Sequence, residues 1–293
     1  MIEVIERYVH GYHPRENERL QDQAGALVDL LHSDTGYPSG SLVLEAGCGV
    51  GAQTVTLAQR SPGARFTSVD LSEGSIAVAK RRVDRAGITN VEFLQADIFA
   101  LPFSAESFDH VFVCFVLEHL ARPVEALAVL GAVLRPGGTI TVIEGDHGST
   151  CFHPDSAAAH AAIQCQVELQ RAAGGNAAVG RQVYPLMIEA GFGEVRVSPR
   201  MVYVDSSRPD LVEAFTRRTF TAMIEGIREL AIARRLIEPE AFDAGVRGLH
   251  RTTEPDGVFC YTFFKGVGQK RRHADEPTLT LGCGGVDQPG GHS

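Results

Sequence analysis

The sequence contains no tryptophan, four methionines and no surplus of basic charge: its 293 residues carry 27 Lys and Arg against 36 Asp and Glu, a formal net charge of −9. That balance repels a phosphate backbone, so nucleic acid is not an expected partner. No apolar stretch approaches the ~20 residues needed to cross a bilayer, and the opening MIEVIERYVHGYH lacks an apolar segment of signal-peptide length. The chain therefore reads as cytoplasmic, without membrane contact, and as a monomer or homodimer. Six cysteines, Cys48, Cys114, Cys151, Cys165, Cys260 and Cys283, show neither a CxxC pair nor regular spacing. Zinc and a disulfide framework are both disfavoured, and no metal is expected.

What is present is alternation. Between Leu42 and Glu144 short apolar runs at 42–46, 65–70, 91–95, 110–116 and 138–144 alternate with amphipathic stretches at 52–60, 73–86 and 123–134. This is the pattern of βαβ units that build a parallel sheet, with Ser72 placed to cap the second helix. Val195–Val197 and Val258–Phe264 are β-branched or aromatic and would finish the sheet on its far edge. The spacing thus predicts a doubly wound, seven-stranded, mostly parallel α/β core over 35–200, completed by a last strand within 256–267. Three additions are expected: an N-terminal helical arm at 1–34, an inserted helical cap at 201–255 and a disordered tail at 268–293. The cap is read from Leu211, Phe215, Phe220, Ile224, Ile227 and Leu230, which recur at roughly helical spacing, with Met201, Met223 and Phe242 adding to its apolar inner face.

The first strand runs into Glu45-Ala-Gly47-Cys-Gly49-Val-Gly51-Ala52 and then a helix. Glycines there allow a sharp turn and close approach of a ligand to the backbone, beside the N–H groups of the next helix, and so imply a nucleoside-bearing cofactor. Gly47-x-Gly49-x-x-Ala52 also satisfies the dinucleotide fingerprint, so an NAD-dependent oxidoreductase stays open on the loop alone. Asp70 ends the second strand, where its carboxylate can accept both ribose hydroxyl protons of either cofactor. Asp97 follows the third strand, placed to receive an adenine amino group between the apolar Leu71 and Ile98, and it favours a sulfonium methyl donor. Leu134-Arg135-Pro136-Gly137-Gly138 then forms a turn into the fifth strand.

Taken in order, Val43 to Gly51, Asp70-Leu71-Ser72, Gln95-Ala96-Asp97, Leu101-Pro102-Phe103, Ser107-Phe108-Asp109, Val116 to Leu120 and Leu134 to Gly138 resemble the class I S-adenosylmethionine methyltransferases with their Rossmann-like core. The resemblance is narrower to those related to the ubiquinone/menaquinone-type small-molecule methyltransferases. Gly180-Arg181-Gln182 through Phe192 looks like the helix before the family's sixth strand, and Phe259–Lys265 like its antiparallel seventh. The whole chain is also similar to a bacterial and archaeal subgroup sharing Tyr8-Val9-His10-Gly11-Tyr12 and Glu144-Gly145-Asp146-His147-Gly148-Ser149. The resemblance implies S-adenosyl-L-methionine as cofactor, held by Glu45, Gly47, Gly49 and Gly51 at its methionine end, Asp70 at the ribose and Asp97 at the adenine. Cys114, Phe115 and His119 would border the sulfonium. It implies methyl transfer to an oxygen, nitrogen or activated carbon of a small-molecule acceptor, or else binding of the same cofactor without methylation.

Methyl transfer from a sulfonium is an in-line displacement, so the protein positions the acceptor and, where needed, removes its proton. The C-terminal ends of the strands, and whatever covers them, supply Glu118, His119, Asp146 and His147 as candidates, with Tyr8, His10 and Tyr12 if the arm folds over as a lid. His147 is either a base oriented by Asp146 or a structural loop histidine; Tyr12 and His10 stand beside it as catalytic candidates. Arg181, Tyr184, Arg200, Tyr203 and Asp205 either enter the acceptor pocket or form surface pairs. Asp109 reads as a cap or loop acceptor, and Cys48 and Cys114 as small buried apolar residues.

Overall fold

The computed structural model describes Gly25 and residues 27–272; Tyr8, His10 and Tyr12 lie outside them. Seven strands form one sheet: β1 (Leu42–Ala46), β2 (Arg65–Asp70), β3 (Val91–Gln95), β4 (Phe108–Cys114), β5 (Leu134–His153), β6 (Gly193–Val204) and β7 (Val258–Gln269). Their order is β3-β2-β1-β4-β5-β7-β6. Pairing is parallel from β3 through β5, and β7 is antiparallel to both neighbours. The order reverses between β1 and β4, and there the C-terminal strand ends open a crevice, the usual ligand position of such sheets.

Helices α1 (Ala52–Arg60), α2 (Glu73–Arg85), α3 (Pro123–Val133), α4 (Ala157–Ala172) and α5 (Val183–Glu189) lie between the strands. Because they cover both faces, β1 is apolar on both: Val43 belongs to one core with Phe112 and Ile143, and Leu44 to the other with Val111 and Val142. Ser72 caps α2 as its position predicts, its hydroxyl accepting from Ser75 N at 3.2 Å, a contact worth about 1 kcal/mol.

The cap lies between β6 and β7. It begins with Pro209–Leu211, continues as a π-helical stretch Val212–Thr221, and ends with Ala222–Gly226, Arg228–Ala233 and α6 (Pro239–Arg251). Phe215 sets its ring 6.0–6.1 Å from Phe259, Tyr261 and Phe263 of β7, and Phe220 lies 4.8 Å from Phe259. Phe215, Phe220, Met223, Ile224, Ile227 and Phe242 form the inner face as expected, whereas Leu230 and Met201 are exposed. Helix α6 lies close on α4: a Cβ at Gly245 would come within 2.4 Å of Ala158 O, and one at Gly248 within 2.6 Å of Ser156 Oγ.

Several boundaries differ from the sequence reading. Strand β5 runs twenty residues, not 138–144, because the antiparallel β7 offers a hydrogen-bonding ladder along its whole length. It absorbs the Pro136-Gly137-Gly138 turn and the Glu144–Ser149 segment read as a loop. After Asp146↔Thr262 the register jumps to Cys151↔Cys260, so residues 147–150 bulge opposite Tyr261. Helix α4 carries no assignment in the sequence reading, since its run of alanines gives little periodicity. The last strand extends through Gly268 and Gln269, where the expected tail begins, and Lys270 Nζ donates to Leu134 O at 2.6 Å.

A helical segment at 27–32 anchors the region before β1 through Leu27 and Leu31, both buried. Beside it the Lys265 ammonium, only 3% exposed, donates to Asp34 Oδ1 and Thr35 Oγ1 at 2.6 Å and to Leu31 O at 3.3 Å. Arg200 pairs with the other oxygen of Asp34. Partial burial would raise the Asp34 carboxyl, but the two cations outweigh it and hold it down at about 2. Among the described residues no helix is long and apolar enough to cross a membrane.

Candidate active site

The glycine loop leaves β1 with its backbone in the left-handed region at three positions: φ is +78° at Gly47, +52° at Gly49 and +74° at Gly51. Their surroundings differ. A Cβ at Gly47 would lie 2.4 Å from Val116 Cγ2 and one at Gly51 2.9 Å from Ala79 Cβ, whereas one at Gly49 would meet nothing within 4 Å. The outer two glycines thus seat the loop against β4 and α2, and Gly49 presents bare backbone to the crevice. Gly47 N and Cys48 N donate to Val69 O, fixing the loop over β2. No side chain caps α1, so its first N–H groups remain turned to whatever sits over the loop.

Asp70 joins loop and strand: Oδ2 accepts from Gly49 N at 2.8 Å and Oδ1 from Ser72 N at 2.9 Å. Burial pushes its carboxyl up, against the three backbone N–H bonds that favour the charged form. With three of its roughly four acceptor sites engaged, the carboxylate keeps one able to accept a ribose hydroxyl. Asp70 pairs with Gln95, which places Asp97 two residues beyond it on the adjacent strand end. Asp97 Oδ1 caps the short turn Ile98–Ala100 by accepting from Phe99 N at 2.9 Å. Leu71, next to Asp70, is 44% exposed, and Ile98, next to Asp97, is half-buried. Two acids and an apolar plate suit an adenosine: ribose hydroxyl to one carboxylate, amino group to the other, ring on the plate.

Glu45 is turned inward. It is 2% exposed, and its Oε2 accepts from Ser68 Oγ at 2.6 Å and Thr54 Oγ1 at 2.7 Å. It therefore ties β1 to β2 and α1 beneath the loop, and burial raises its carboxyl to about 7 despite the two hydroxyls. Cys48 and Cys114 are buried thiols, pushed far up by burial. Phe115 leaves β4 with φ +58°, a backbone state that costs a bulky residue of order 1–3 kcal/mol and that concentrates at functional sites. Phe115 N donates to Ile143 O, and its ring packs on Phe263.

At the next strand end Glu144, 0% exposed, accepts from Val116 N at 2.9 Å and Leu117 N at 2.7 Å through Oε1. It holds the turn that carries Glu118 and His119. Burial, then the neighbouring Glu118 carboxylate, pushes the Glu144 carboxyl well up. Glu118 in turn accepts from Gln170 of α4 at 3.1 Å, and His119 Nε2 lies 3.7 Å from Glu118 Oε1.

His147 and Asp146 part company. Asp146 is buried and makes a two-point pair with Arg181, at 2.6 and 2.8 Å, on one face of β5. His147, in the bulge, sets Nδ1 3.1 Å from both Ala177 O and Tyr261 Oη, with its ring 5.6 Å from Tyr261 and 6.0 Å from Phe220. The expected orienting role thus falls to Ala177 and Tyr261 and not to Asp146. A carbonyl only accepts, so Nδ1 carries the hydrogen and Nε2 the basic lone pair.

The other candidates lie elsewhere. Tyr184 and Tyr203 are exposed, Arg200 is spent on Asp34, and Asp205 accepts from Ser207 in a local turn. Asp109 braces strands, accepting from Leu42 N and pairing with Arg135, in line with its reading as a loop acceptor. The sequence reading missed Glu144, Tyr261 and Gln170. Glu144 left a signal, a carboxylate at the end of an apolar run, whereas Tyr261 in Phe-Cys-Tyr-Thr-Phe-Phe reads as ordinary core.

Residues 43–138 match a family described as a methyltransferase domain. The chain is 39% identical over 106 residues to the demethylmenaquinone methyltransferase of Clavibacter sepedonicus, covering 36% of this chain and 42% of that protein. It is 32% identical over 203 residues to a 37.1 kDa protein in transposon Tn4556 of Streptomyces fradiae, covering 68% and 57%. The chain thus spans about half the length of these curated relatives, or less. Among solved structures, phosphoethanolamine N-methyltransferase 2 of Haemonchus contortus, in complex with phosphomonomethylethanolamine and S-adenosylhomocysteine, superposes with a TM-score of 0.53 at 19% identity, over 85% of this chain and 53% of that one. The [4+2]-cyclase SpnF superposes with 0.52 at 19%, over 86% and 81%. The matched segment contains the whole glycine loop, Asp70 and Asp97, and so separates the two readings of that loop in favour of the methyl donor. Residues 43–138 match the methyltransferase-domain family, and the seven-stranded sheet around them has the fold of these solved S-adenosylmethionine-type methyltransferase structures.

Proposed function

We propose that the protein transfers a methyl group from S-adenosyl-L-methionine to an oxygen, nitrogen or activated carbon of a small molecule, acting in the cytoplasm as a monomer or homodimer. The observation that carries this reading is the bare backbone at Gly49, flanked by Asp70 and Asp97 at adjoining strand ends. Asp70 takes a ribose hydroxyl, Asp97 the adenine amino group and Leu71 the ring face, while the uncapped start of α1 faces the methionine carboxylate. The bound cofactor supplies an electrophilic methyl group on a positively charged sulfur.

The chain's own part is positioning. Glu144 fixes the turn after β4, Phe115 and Phe263 wall the crevice, and the cap excludes water through Phe215 and Phe220. Nε2 of His147 would accept the proton that the acceptor atom gives up on methylation. The acidic chain and its closed cap favour a metabolite over a macromolecule.

The test is incubation of the purified protein with methyl-labelled donor and a metabolite extract, with labelled products identified by mass spectrometry. A labelled metabolite supports the proposal. A labelled protein or RNA overturns the substrate class, and donor bound but left intact across all acceptors overturns methylation itself.

A further inference from the structure

Two of the scattered cysteines face each other. Cys151 and Cys260 are direct partners across the antiparallel pair β5·β7, the first pair beyond the bulge. Directly opposed residues on antiparallel strands have Cα separations of roughly 4.5 or 5.5 Å, both inside the ~4.4–6.8 Å span of a disulfide. Both side chains leave the sheet on the same face, and both thiols are free. They are also near enough for Cys151 to raise the Cys260 thiol. Cys151 is exposed while Cys260 is buried, the asymmetry of an attacking and a resolving thiol.

We propose that Cys151 and Cys260 form a reversible redox modification site, converted to a cross-strand disulfide by a small disulfide of the glutathione class. The Cys151 thiolate attacks one sulfur of the oxidant, forming a mixed disulfide and releasing one reduced thiol. Cys260 then loses its proton and attacks Cys151 Sγ, expelling the second. The protein gives up two electrons and the small disulfide takes both. Burial and the neighbouring thiol push Cys260 up to about 11, so proximity to Cys151 and not thiolate abundance has to drive the second step.

The bond would tie β5 to β7 beside the bulge that carries His147 and at the residue next to Tyr261. The inference rests on register and thiol proximity, and stands whatever the enzyme methylates.

The experiment is equilibration of the full chain with reduced and oxidised glutathione in varied ratio, followed by acid quench, thiol counting in denaturant and peptide mapping by mass spectrometry. Free thiols should fall from six to four per chain, with Cys151 joined to Cys260 and the bond reversed by reduced glutathione. Cys260→Ser should instead trap glutathione on Cys151, and Cys151→Ser should keep all its thiols. A wild-type count that stays at six, or a glutathione adduct on Cys151 that persists while Cys260 is free, overturns the proposal.

Discussion

The two ends of the crevice are built differently. At the donor end, β1 to β3, recognition is made of backbone: three glycines with positive φ, the open start of α1, and one carboxylate whose bonds go to main-chain N–H groups. At the end we assign to the acceptor, β4 to β7, the framework is made of side chains brought together across the chain: Glu144 to the turn after β4, His147 to Tyr261, Gln170 to Glu118. Backbone recognition tolerates little change in sequence, because only glycine fits; side-chain recognition can be rewritten residue by residue. A fold made this way can keep one donor while exchanging acceptors.

The sharpest way to break that contrast is at the glycines. Gly47→Ala should bring donor binding, read by calorimetry with S-adenosylhomocysteine, below detection, because its Cβ meets Val116 in a backbone state unfavourable to alanine. Gly49→Ala meets no atom, so it should cost only the ~1–2 kcal/mol of a left-handed alanine and still lose donor affinity by about tenfold or more, since the methyl group projects into ligand space. Equal binding by Gly49→Ala and wild type would mean that the loop does not face the donor.

Next in size is the proposed base. His147→Ala should lower kcat by about a thousandfold, within the usual range for general-base removal, while the donor dissociation constant stays within about twofold. Turnover kinetics and calorimetry on the same sample separate the two, and a parallel loss of both would move His147 to the donor end.

Glu45 gives a pH signature. Its folded carboxyl titrates at about 7, above the 4.5 of the unfolded chain, so the folded state holds the proton more tightly. Its contribution to stability is therefore full below pH 4.5 and is lost as pH rises to about 7, by about 3 kcal/mol at 1.36 kcal/mol per pH unit. Urea titrations across that range should show wild type losing this stability relative to Glu45→Gln; parallel curves would place the carboxyl at its ordinary value.

The smallest effect is at Glu144. Glu144→Gln keeps an acceptor for Val116 N and Leu117 N and should stay within about 1 kcal/mol of wild type. Glu144→Ala leaves both N–H groups buried without it and should cost about 2 kcal/mol in the same assay.

Much of the donor end was legible because its signals are local. Gly47, Gly49 and Gly51 need their conformations within a few residues, and Asp70 and Asp97 end strands that their own apolar runs define. The acceptor end was not, for two physical reasons. Antiparallel pairing with β7, over a hundred positions along the chain from β5, turned a polar loop into strand and bulge, and nothing in Glu144–Ser149 announces that partner. And the bulge that opens after Asp146 breaks the regular register, so neighbours in sequence found different partners, Arg181 for one and Ala177 and Tyr261 for the other.

The buried ammonium of Lys265 sets a limit on how the chain can be trimmed. Its three acceptors, Leu31, Asp34 and Thr35, all precede β1, although the lysine itself lies on the last strand. A shortened protein starting at Ser41 would keep every strand of the sheet and still strip the lysine of its counterion and its three acceptors. The smallest unit that can stand alone is thus defined by a charge and its counterion, and it begins well before the first residue of the domain that its relatives share.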